Sequence, residues 1–180
     1  MNILIPIGGK GERFKNNNYT YPKFLINIYG HPMLFWILDN LKFNENDNII
    51  IAIPENINCE FGLEYKLKKE YPNIKIRIIN LLYQPRGATE TLFSILQNMN
   101  EIELNKKTIS LDCDTIYFDD ILKSYRECDN NACFFFKPDD KIPIFSYLKL
   151  NDFDTIIDIK EKEFFLDTEI CAQIVYIYLY

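Results

Sequence analysis

The sequence predicts an α/β fold in which helices cover both faces of a mostly parallel central sheet. Three observations support this class. Short apolar runs rich in isoleucine alternate with helical patterns through the first two-thirds of the 180 residues. The first of these runs, residues 3–7, leads directly into a glycine loop, which is where ligands bind in such sheets. After Pro143 the alternation gives way to strand patterns with little helix between them.

The individual elements follow from hydrophobic periodicity. We expect parallel strands at residues 2–7, 48–54, 74–80, 107–112 and 132–136. Helices are expected between them, the first with Pro32 in its tolerated first turn, at residues 32–43, 60–71, 89–99 and 119–128. Later strands are expected at residues 144–150, 155–159 and 174–180. No internal repeat or linker divides the chain, so we expect a single domain over residues 1–180.

Composition limits the classes of partner. The chain is 48% apolar and carries a formal net charge of −6, with its lysines scattered among acidic residues. It has no basic stripe for nucleic acid and no polybasic patch for a membrane, and no run approaches the roughly 18 to 20 apolar residues of a span. The five cysteines lack C-x2-C spacing, which favours reduced thiols in the cytoplasm. Small molecules are therefore the expected partners, and a homo-oligomer stays open.

The loop after the first strand has the composition of a phosphate cradle. Three glycines in four positions, 8–11, let the backbone approach a ligand, and successive N–H groups there can form an anion-binding nest. Arg13 and Lys23 add positive charge. The spacing excludes two better-known phosphate binders, because Phe14 stands where a dinucleotide fingerprint needs glycine and Gly11 stands where a P-loop needs Ser or Thr. An ordinary glycine turn is the alternative.

The run Gly8-Gly9-Lys10-Gly11-Glu12-Arg13-Phe14, followed by Pro22-Lys23, resembles the G-G-x-G-x-R-F and P-K signature of the sugar-phosphate nucleotidylyltransferases. The chain is most similar to members encoded with capsular and surface-polysaccharide genes. The resemblance implies a Rossmann-like three-layer α/β/α fold with a central, mostly parallel mixed sheet, the nucleotide-diphospho-sugar transferase fold. It also implies transfer of a nucleotidyl group from a nucleoside triphosphate to a phosphorylated small molecule, with release of pyrophosphate. The acceptor is a sugar 1-phosphate or a non-sugar phosphate, the latter used by CTP-dependent members.

The same resemblance assigns roles to single residues. Lys23 neutralises the α-phosphate or the acceptor phosphate, Arg13 holds the β and γ phosphates, and Asp114 holds Mg²⁺. The nucleotide is bound by Ile7, Gly8, Gly9, Lys10, Gly11, Gln84, Gly87, Ala88 and Asp112. Because the attacking phosphate is already an anion at neutral pH, positioning and charge neutralisation suffice for catalysis, and no side-chain nucleophile is needed.

Two carboxylates, Asp112 and Asp114, follow the apolar run 108–111. Side chains at i and i+2 of an extended segment point to the same side, so both face the ligand edge of the sheet. Hard oxygen ligands of this kind suit Mg²⁺ on nucleotide phosphates. A solvated turn with an aspartate cap for the helix near Asp119 is the alternative.

Two further segments have weaker signals. Gly87 lets a flat base approach the backbone and Gln84 offers a donor and an acceptor for its edge, although the same stretch also fits a helix N-terminus capped by Thr89 or Glu90. Glu161 and Lys162 match an E-K pair that contacts the acceptor in the family, and a solvated strand edge is the alternative.

Side chains elsewhere offer little chemistry. The only histidine, His31, is interpreted as a turn residue and Trp36 as part of the core.

The resemblance fades at the end of the sequence. Gln173 stands near the place of a family glycine, and we expect the C-terminal part of the family domain, with a second metal-binding aspartate, to be missing. Two other functions stay open, the second of them because of this missing part. A metal-dependent glycosyltransferase would also use an Asp-x-Asp strand end, and a nucleotide-binding module would need no catalysis.

Overall fold

A computed structural model of the chain describes residues 1–9, 11, 14, 16, 19–136, 142–165 and, for the backbone alone, 171–178. Its strands are β1 (Asn2–Pro6), β2 (Asn27–Ile28), β3 (His31–Pro32), β4 (Asn48–Pro54), β5 (Ile76–Leu81), β6 (Thr108–Ser110), β7 (Cys133–Phe136), β8 (Ser146–Leu150), β9 (Ile156–Glu161) and β10 (Cys171–Tyr178). Its helices are α1 (Met33–Asn40), α2 (Glu55–Phe61), α3 (Leu63–Glu70), α4 (Ala88–Gln97), α5 (Glu101–Leu104) and α6 (Ile121–Glu127). None of these helices has the length and hydropathy that a membrane span needs.

The chain divides into two compact units, the first formed by residues 1–131 with the chain end from residue 177, the second by residues 132–176. The sheet of the first unit has the strand order β5-β4-β1-β6, and all neighbouring pairs are parallel. The end of β10 pairs antiparallel with β6. The expected mixed α/β fold with a central parallel sheet is therefore confirmed.

The core of the first unit explains why its strands are almost continuously apolar. On one face of the sheet, strand side chains such as Leu4, Ile50 and Ile79 form a cluster with Ile95 and Met99 from α4 and the residues after it. Their neighbours along the strands, Ile3, Ile5, Ile49 and Ile51 among them, point to the opposite face and are buried too. Burial on both faces leaves no position for the polar half of an alternating pattern.

The second unit is antiparallel. Its strands run in the order β7-β10-β8-β9. A tight turn joins β8 to β9, and the Asn151 carboxamide oxygen holds this turn by accepting hydrogen bonds from the backbone of Phe153 and Thr155, both at 3.0 Å. The antiparallel architecture begins at β7, before the change of sequence pattern at Pro143, so the strand expected at 132–136 is antiparallel and does not belong to the parallel sheet.

The structure corrects two expected helices and adds one that was not expected. The helix expected at 60–71 is two helices, α2 and α3, because Gly62 takes up φ +59° and ends the first of them. The first helix ends at Asn40 rather than at residue 43. The short helix α5 was missed although its capping box, Asn100 with Glu103, is readable in the sequence.

Two single-residue interpretations also change. His31 lies in β3, directly after the turn at Tyr29 and Gly30, and its ring nitrogen lies 2.8 Å from the Asp39 carboxylate. Trp36 is only partly buried, and its indole N–H donates to the carbonyl of Ile28 at 2.8 Å.

Candidate functional site

A cleft of about 860 Å³ opens at the carboxyl edge of the parallel sheet. The segments that follow β1, β4, β5 and β6 all reach it, because parallel strands end at the same edge. Most of its walls come from the glycine loop, the segment after β5 and helix α2. The lining residues include Ile7, Gly8, Gly9, Gly11, Phe14, Tyr21, Lys23, Ile57, Glu60, Phe61, Gln84, Pro85, Arg86, Gly87, Ala88 and Cys113. A smaller pocket of about 460 Å³ adjoins it at Tyr21 and Phe61.

The three glycine positions of the loop differ in whether they could accept a side chain. A side chain on Gly8 would overlap the Thr91 hydroxyl oxygen and come within 2.9 Å of Pro85 Cγ, so this position is closed by packing. Gly9 has open space around it. Gly11 has φ +62°, a left-handed conformation that side chains disfavour. Lys10 and Arg13 lie outside the described residues, so their placement stays a prediction.

Gln84 connects the loop to the segment after β5. Its Nε2 donates to the carbonyl oxygen of Gly8 at 2.5 Å. The Gln84 carboxamide, which was predicted to contact the edge of a base, is therefore held by the glycine loop through its nitrogen. Its oxygen takes no part in this hydrogen bond. The tertiary structure adds a positioning contact that the sequence did not predict.

The segment after Gln84 is also a helix N-terminus. Gly87, in an extended conformation, precedes the first residue of α4. The Glu90 carboxylate accepts from the backbone N–H of Arg86 at 2.6 Å and from its guanidinium at 3.1 Å. These bonds lower the pKa of Glu90. The segment is therefore a helix N-terminus, but neither Thr89 nor Glu90 caps it, because the N-cap is Gly87 and receives no side-chain cap hydrogen bond. Gly87 and Ala88 line the cleft at the same time.

Lys23 and Asp114 form an ion pair, although 91 positions separate them in the sequence. Lys23 begins a short 3-10 turn after Pro22, and its ammonium lies 5.7 Å from the centroid of the Phe14 ring. Both charged side chains keep about a third of their surface exposed, 31% and 33%. The pair brings the loop after β1 and the strand end of β6 together.

In the Asp112-Cys113-Asp114 segment the two carboxylates, two positions apart, repel each other. Asp112 has exposed surface, yet desolvation of its carboxyl and the charge of Asp114 raise its pKa to about 6, with Lys23 opposing the shift. Burial raises the pKa of the intervening Cys113 thiol to about 12. A cation placed here would relieve the repulsion between the two carboxylates.

Comparison with known proteins decides the family. The sequence model of the nucleotidyl transferase family matches residues 3–178, which is nearly the whole chain. The chain belongs to the nucleotidyl transferase family. It is therefore an enzyme of the nucleotidyltransferase class, and the resemblance in the glycine loop is confirmed at the level of the family.

Solved structures share the fold of this nucleotidyltransferase. A nucleoside-diphosphate-sugar pyrophosphorylase from Vibrio cholerae RC9 is 17% identical, with a TM-score of 0.67, 98% of this chain and 72% of that chain covered. The inositol-1-phosphate CTP transferase from T. maritima is 11% identical, with a TM-score of 0.70 and coverages of 99% and 70%. A UDP-glucose pyrophosphorylase complexed with UDP-glucose is 15% identical, with a TM-score of 0.72 and coverages of 99% and 75%. Among curated protein sequences none matches significantly.

The predicted acceptor pair of the enzyme lies in the second unit. Glu161 ends β9 and accepts a hydrogen bond from the Ser146 hydroxyl at 2.5 Å. Lys162 follows with φ +53°, and its ammonium lies 3.4 Å from Glu161. Both residues are exposed, and their role toward the acceptor stays a prediction.

Several residues of the cleft were missed. Tyr21 directly precedes the Pro22-Lys23 pair and could have been found from that neighbour. Ile57, Glu60 and Phe61 belong to α2, a helix that begins five residues earlier than expected, and no motif marks them. Thr91 contributes to the site by packing against Gly8, a contact that only the folded chain reveals.

Proposed function

We propose that this nucleotidyltransferase joins a nucleoside monophosphate to a phosphorylated small molecule, releasing pyrophosphate, in the synthesis of capsule or surface-polysaccharide precursors. The acceptor is a sugar 1-phosphate or a non-sugar phosphate, and CTP is one candidate donor. The observation that carries the proposal is the Lys23–Asp114 pair beside a cleft bounded by the glycine loop. A phosphate-neutralising cation and a cation-binding carboxylate are the two charges that transfer at phosphorus requires.

The residues present fit a divalent cation. Asp112 and Asp114 offer hard carboxylate oxygens in one short segment. Among the described residues no group of three His, Cys, Asp or Glu side chains could hold a metal by itself. The donor set therefore suits Mg²⁺, which keeps several waters and binds through one or two carboxylates together with substrate phosphates. When bound through Asp114, the ion would neutralise charge that develops on the triphosphate.

The glycine loop and its neighbours bind the nucleotide in this proposal. Backbone N–H groups of the loop donate hydrogen bonds to phosphate oxygens, and Arg13 and Lys10 add positive charge. Gly87 and Ala88 border the base, while Gln84 keeps the loop in place through its bond to the Gly8 carbonyl. Lys23 leaves Asp114 and neutralises the phosphates at the reacting centre.

The acceptor supplies the nucleophile. Its phosphate oxygen attacks the α-phosphorus, a new phosphorus–oxygen bond forms, and the bond to the β-phosphate breaks as pyrophosphate leaves. Glu161 is proposed to bind the body of the acceptor and Lys162 its phosphate. No proton has to move, because a phosphate monoester is largely dianionic near pH 7.

A pyrophosphate-release screen tests the proposal. The enzyme with Mg²⁺ is mixed with ATP, CTP, GTP, UTP or dTTP and a panel of phosphorylated acceptors, both sugars and non-sugars. One productive combination is expected, and its mass spectrum should show the nucleotidyl product. Tight triphosphate binding without pyrophosphate from any acceptor would instead identify a binding module. Transfer of sugar from a nucleotide sugar would identify a glycosyltransferase.

Matched variants locate the activity in the proposed site. Lys23→Ala should abolish pyrophosphate release, whereas Lys68→Ala, which removes an exposed lysine paired with Glu64 on α3, should retain it. Asp114→Ala should likewise abolish release, with the exposed Asp129→Ala as its control. Equal loss in a control and in its partner variant would count against the site.

A further inference from the structure

Helix α2 forms a wall of the cleft that has no role in the proposed transfer. Its last turn contributes Glu60 and Phe61, and Tyr21, from the loop before Lys23, completes this wall. The same three residues line the adjoining smaller pocket, so the wall borders both cavities. It combines two aromatic rings with one carboxylate, a set that suits a planar ligand carrying N–H donors.

The order of strands places this wall on the half of the cleft away from the reacting phosphates. Helix α2 follows β4 and Gln84 follows β5, in a sheet with the order β5-β4-β1-β6. Asp114 follows β6, on the other side of β1. The wall therefore lies on the same side of the glycine loop as the segment from Gln84 to Ala88, which borders the base in the proposed function.

Polar contacts anchor α2 to this half of the sheet. Asn58 is buried, and its Nδ2 donates to the Asn80 carboxamide oxygen of β5 at 2.8 Å. The Asn58 carboxamide oxygen accepts from the backbone N–H of Glu64 in α3 at 3.1 Å. At the end of the helix, the Lys66 ammonium donates to the Phe61 carbonyl at 2.6 Å. The last turn of α2 is thus held to both β5 and α3.

The two rings of the wall offer a stacking surface. The centroids of Tyr21 and Phe61 lie 5.8 Å apart with their planes at 51°. Tyr21 is 60% exposed, so most of its surface is open to a ligand. Flat aromatic faces stack on nucleobases, and stacking tolerates any base because every base has a π-face. The rings therefore favour a base without selecting one.

The carboxylate of the wall is a selective group. Glu60 is exposed, and no hydrogen bond or ion pair joins it to another described residue. The described cations that line this half are engaged elsewhere, since Arg86 pairs with Glu90 at 3.1 Å and Lys66 bonds to the end of α2. A carboxylate only accepts hydrogen bonds. Exocyclic amino groups of cytosine, adenine and guanine donate them, whereas O4 of uracil and thymine is an acceptor.

We propose that Glu60 is a specificity-determining residue for the nucleobase and that Tyr21 and Phe61 stack on this base. The donor is then a nucleoside triphosphate whose base carries an exocyclic amino group. The inference rests on the proposed function, because it names the class of donor for the same site. The carboxylate accepts from the amino group and repels O4 of a uracil or thymine, so the wall both attracts one class of base and disfavours the other.

Calorimetric titration with CTP, ATP, GTP, UTP and dTTP in the presence of Mg²⁺, without acceptor, tests the selectivity. At least one amino-bearing triphosphate should bind the wild type roughly 10-fold tighter than UTP, the lower end for a hydrogen bond to a charged group because Glu60 is exposed. Glu60→Gln should bring this ratio close to one, since a carboxamide also donates to O4. Glu55→Gln, the same change at an exposed position of α2, should keep the ratio. An unchanged ratio in Glu60→Gln, or a preference of the wild type for UTP or dTTP, would overturn the proposal.

The stacking role has a different readout. Phe61→Leu should weaken all five triphosphates by a similar factor and leave their ratios unchanged, whereas Phe153→Leu, an exposed phenylalanine of the β8–β9 turn, should leave every affinity unchanged. Equal affinities in Phe61→Leu and the wild type would remove the rings from the base site.

A comparison of ligands needs no variant. The preferred triphosphate is titrated against its analogue that lacks only the amino group: the pyrimidin-2-one riboside triphosphate for CTP, the purine riboside triphosphate for ATP or ITP for GTP. The analogue should bind roughly 10-fold weaker, and equal affinities would refute the role of Glu60.

The two proposals fail separately. Selective binding without pyrophosphate release from any acceptor would remove the proposed transfer and leave the base selectivity standing. Pyrophosphate release from UTP or dTTP at an efficiency equal to that with the amino-bearing triphosphates would remove the base selectivity alone. Absence of binding by all five triphosphates would overturn both.

Discussion

Substitution of Gly8 by alanine is the sharpest test of how the cleft is built. The added methyl would overlap the Thr91 hydroxyl oxygen and approach Pro85 at 2.9 Å for Cγ and 3.3 Å for Cβ. Neither neighbour yields easily, since Pro85 is a buried ring and Thr91 is a buried, β-branched residue of α4. Overpacking of this kind costs about 1 to 3 kcal/mol. The displaced loop would also weaken the hydrogen bond from Gln84 to the Gly8 carbonyl, worth about 1 kcal/mol.

We therefore expect Gly8→Ala to lower the free energy of unfolding by about 2 to 4 kcal/mol. In a chain of this size that corresponds to a Tm lower by roughly 4 to 16 °C. The assay is thermal unfolding followed by circular dichroism, with urea unfolding as a second measure. The activity should fall with the displaced loop even at temperatures where the variant is folded.

Gly9→Ala is the matched control. A side chain at Gly9 meets nothing within 4 Å and the residue does not need a positive φ, so its stability should stay within about 0.5 kcal/mol of the wild type. Thr91→Ala in the Gly8→Ala background should recover part of the loss, because it removes the nearer obstruction. If Gly8→Ala is as stable as Gly9→Ala, the packing argument for this loop is wrong.

Three further predictions concern charge. Lys23→Ala and Asp114→Ala should each abolish turnover with a stability loss of at most about 1 kcal/mol, since their ion pair is partly exposed, as measured by pyrophosphate release and urea unfolding. Asp47→Asn should lower the free energy of unfolding at pH 7 by about 2 to 3 kcal/mol and by much less in acid, followed by urea unfolding across pH. Gln84→Glu should raise the KM for the triphosphate roughly 10-fold with a smaller change in kcat, because a carboxylate oxygen would face the Gly8 carbonyl.

The pH dependence at Asp47 has a defined sign. Desolvation alone would raise its pKa, but the backbone N–H of Asn44, the Met1 ammonium and Arg126 outweigh it and hold the pKa below the ordinary 3.8. A carboxyl with a lowered native pKa contributes its full stability above pH 3.8 and loses it as the pH falls through the native value. A stability difference between wild type and Asp47→Asn that persists unchanged at pH 2 would contradict the assignment.

The predictions for Lys23 and Gln84 would each be contradicted by one defined result. Measurable turnover in Lys23→Ala at the wild-type rate would remove this lysine from the reacting centre. An unchanged KM in Gln84→Glu would show that the bond to Gly8 does not hold the loop for nucleotide binding.

Local patterns determined most of the fold. The apolar run at residues 48–54 forms β4, which is buried on both faces of the sheet. A strand buried on both faces is a continuous apolar run, and this pattern can be recognised without knowing its neighbouring strands. Helix limits were less well determined. The break at Gly62 depends on a single left-handed residue, and glycine within a helical pattern does not by itself reveal which conformation it adopts.

The sequence by itself determined the family, since the glycine loop, the Pro22-Lys23 pair and Asp112-Cys113-Asp114 are continuous motifs whose residue types and spacing are sufficient. Only the tertiary structure decided which of these residues meet. The Lys23–Asp114 pair, the bond from Gln84 to Gly8 and the closure of Gly8 by Thr91 join positions 76 to 91 residues apart. Such contacts arise because parallel strands end at one edge of the sheet, and that order of strands is fixed by packing of the whole core.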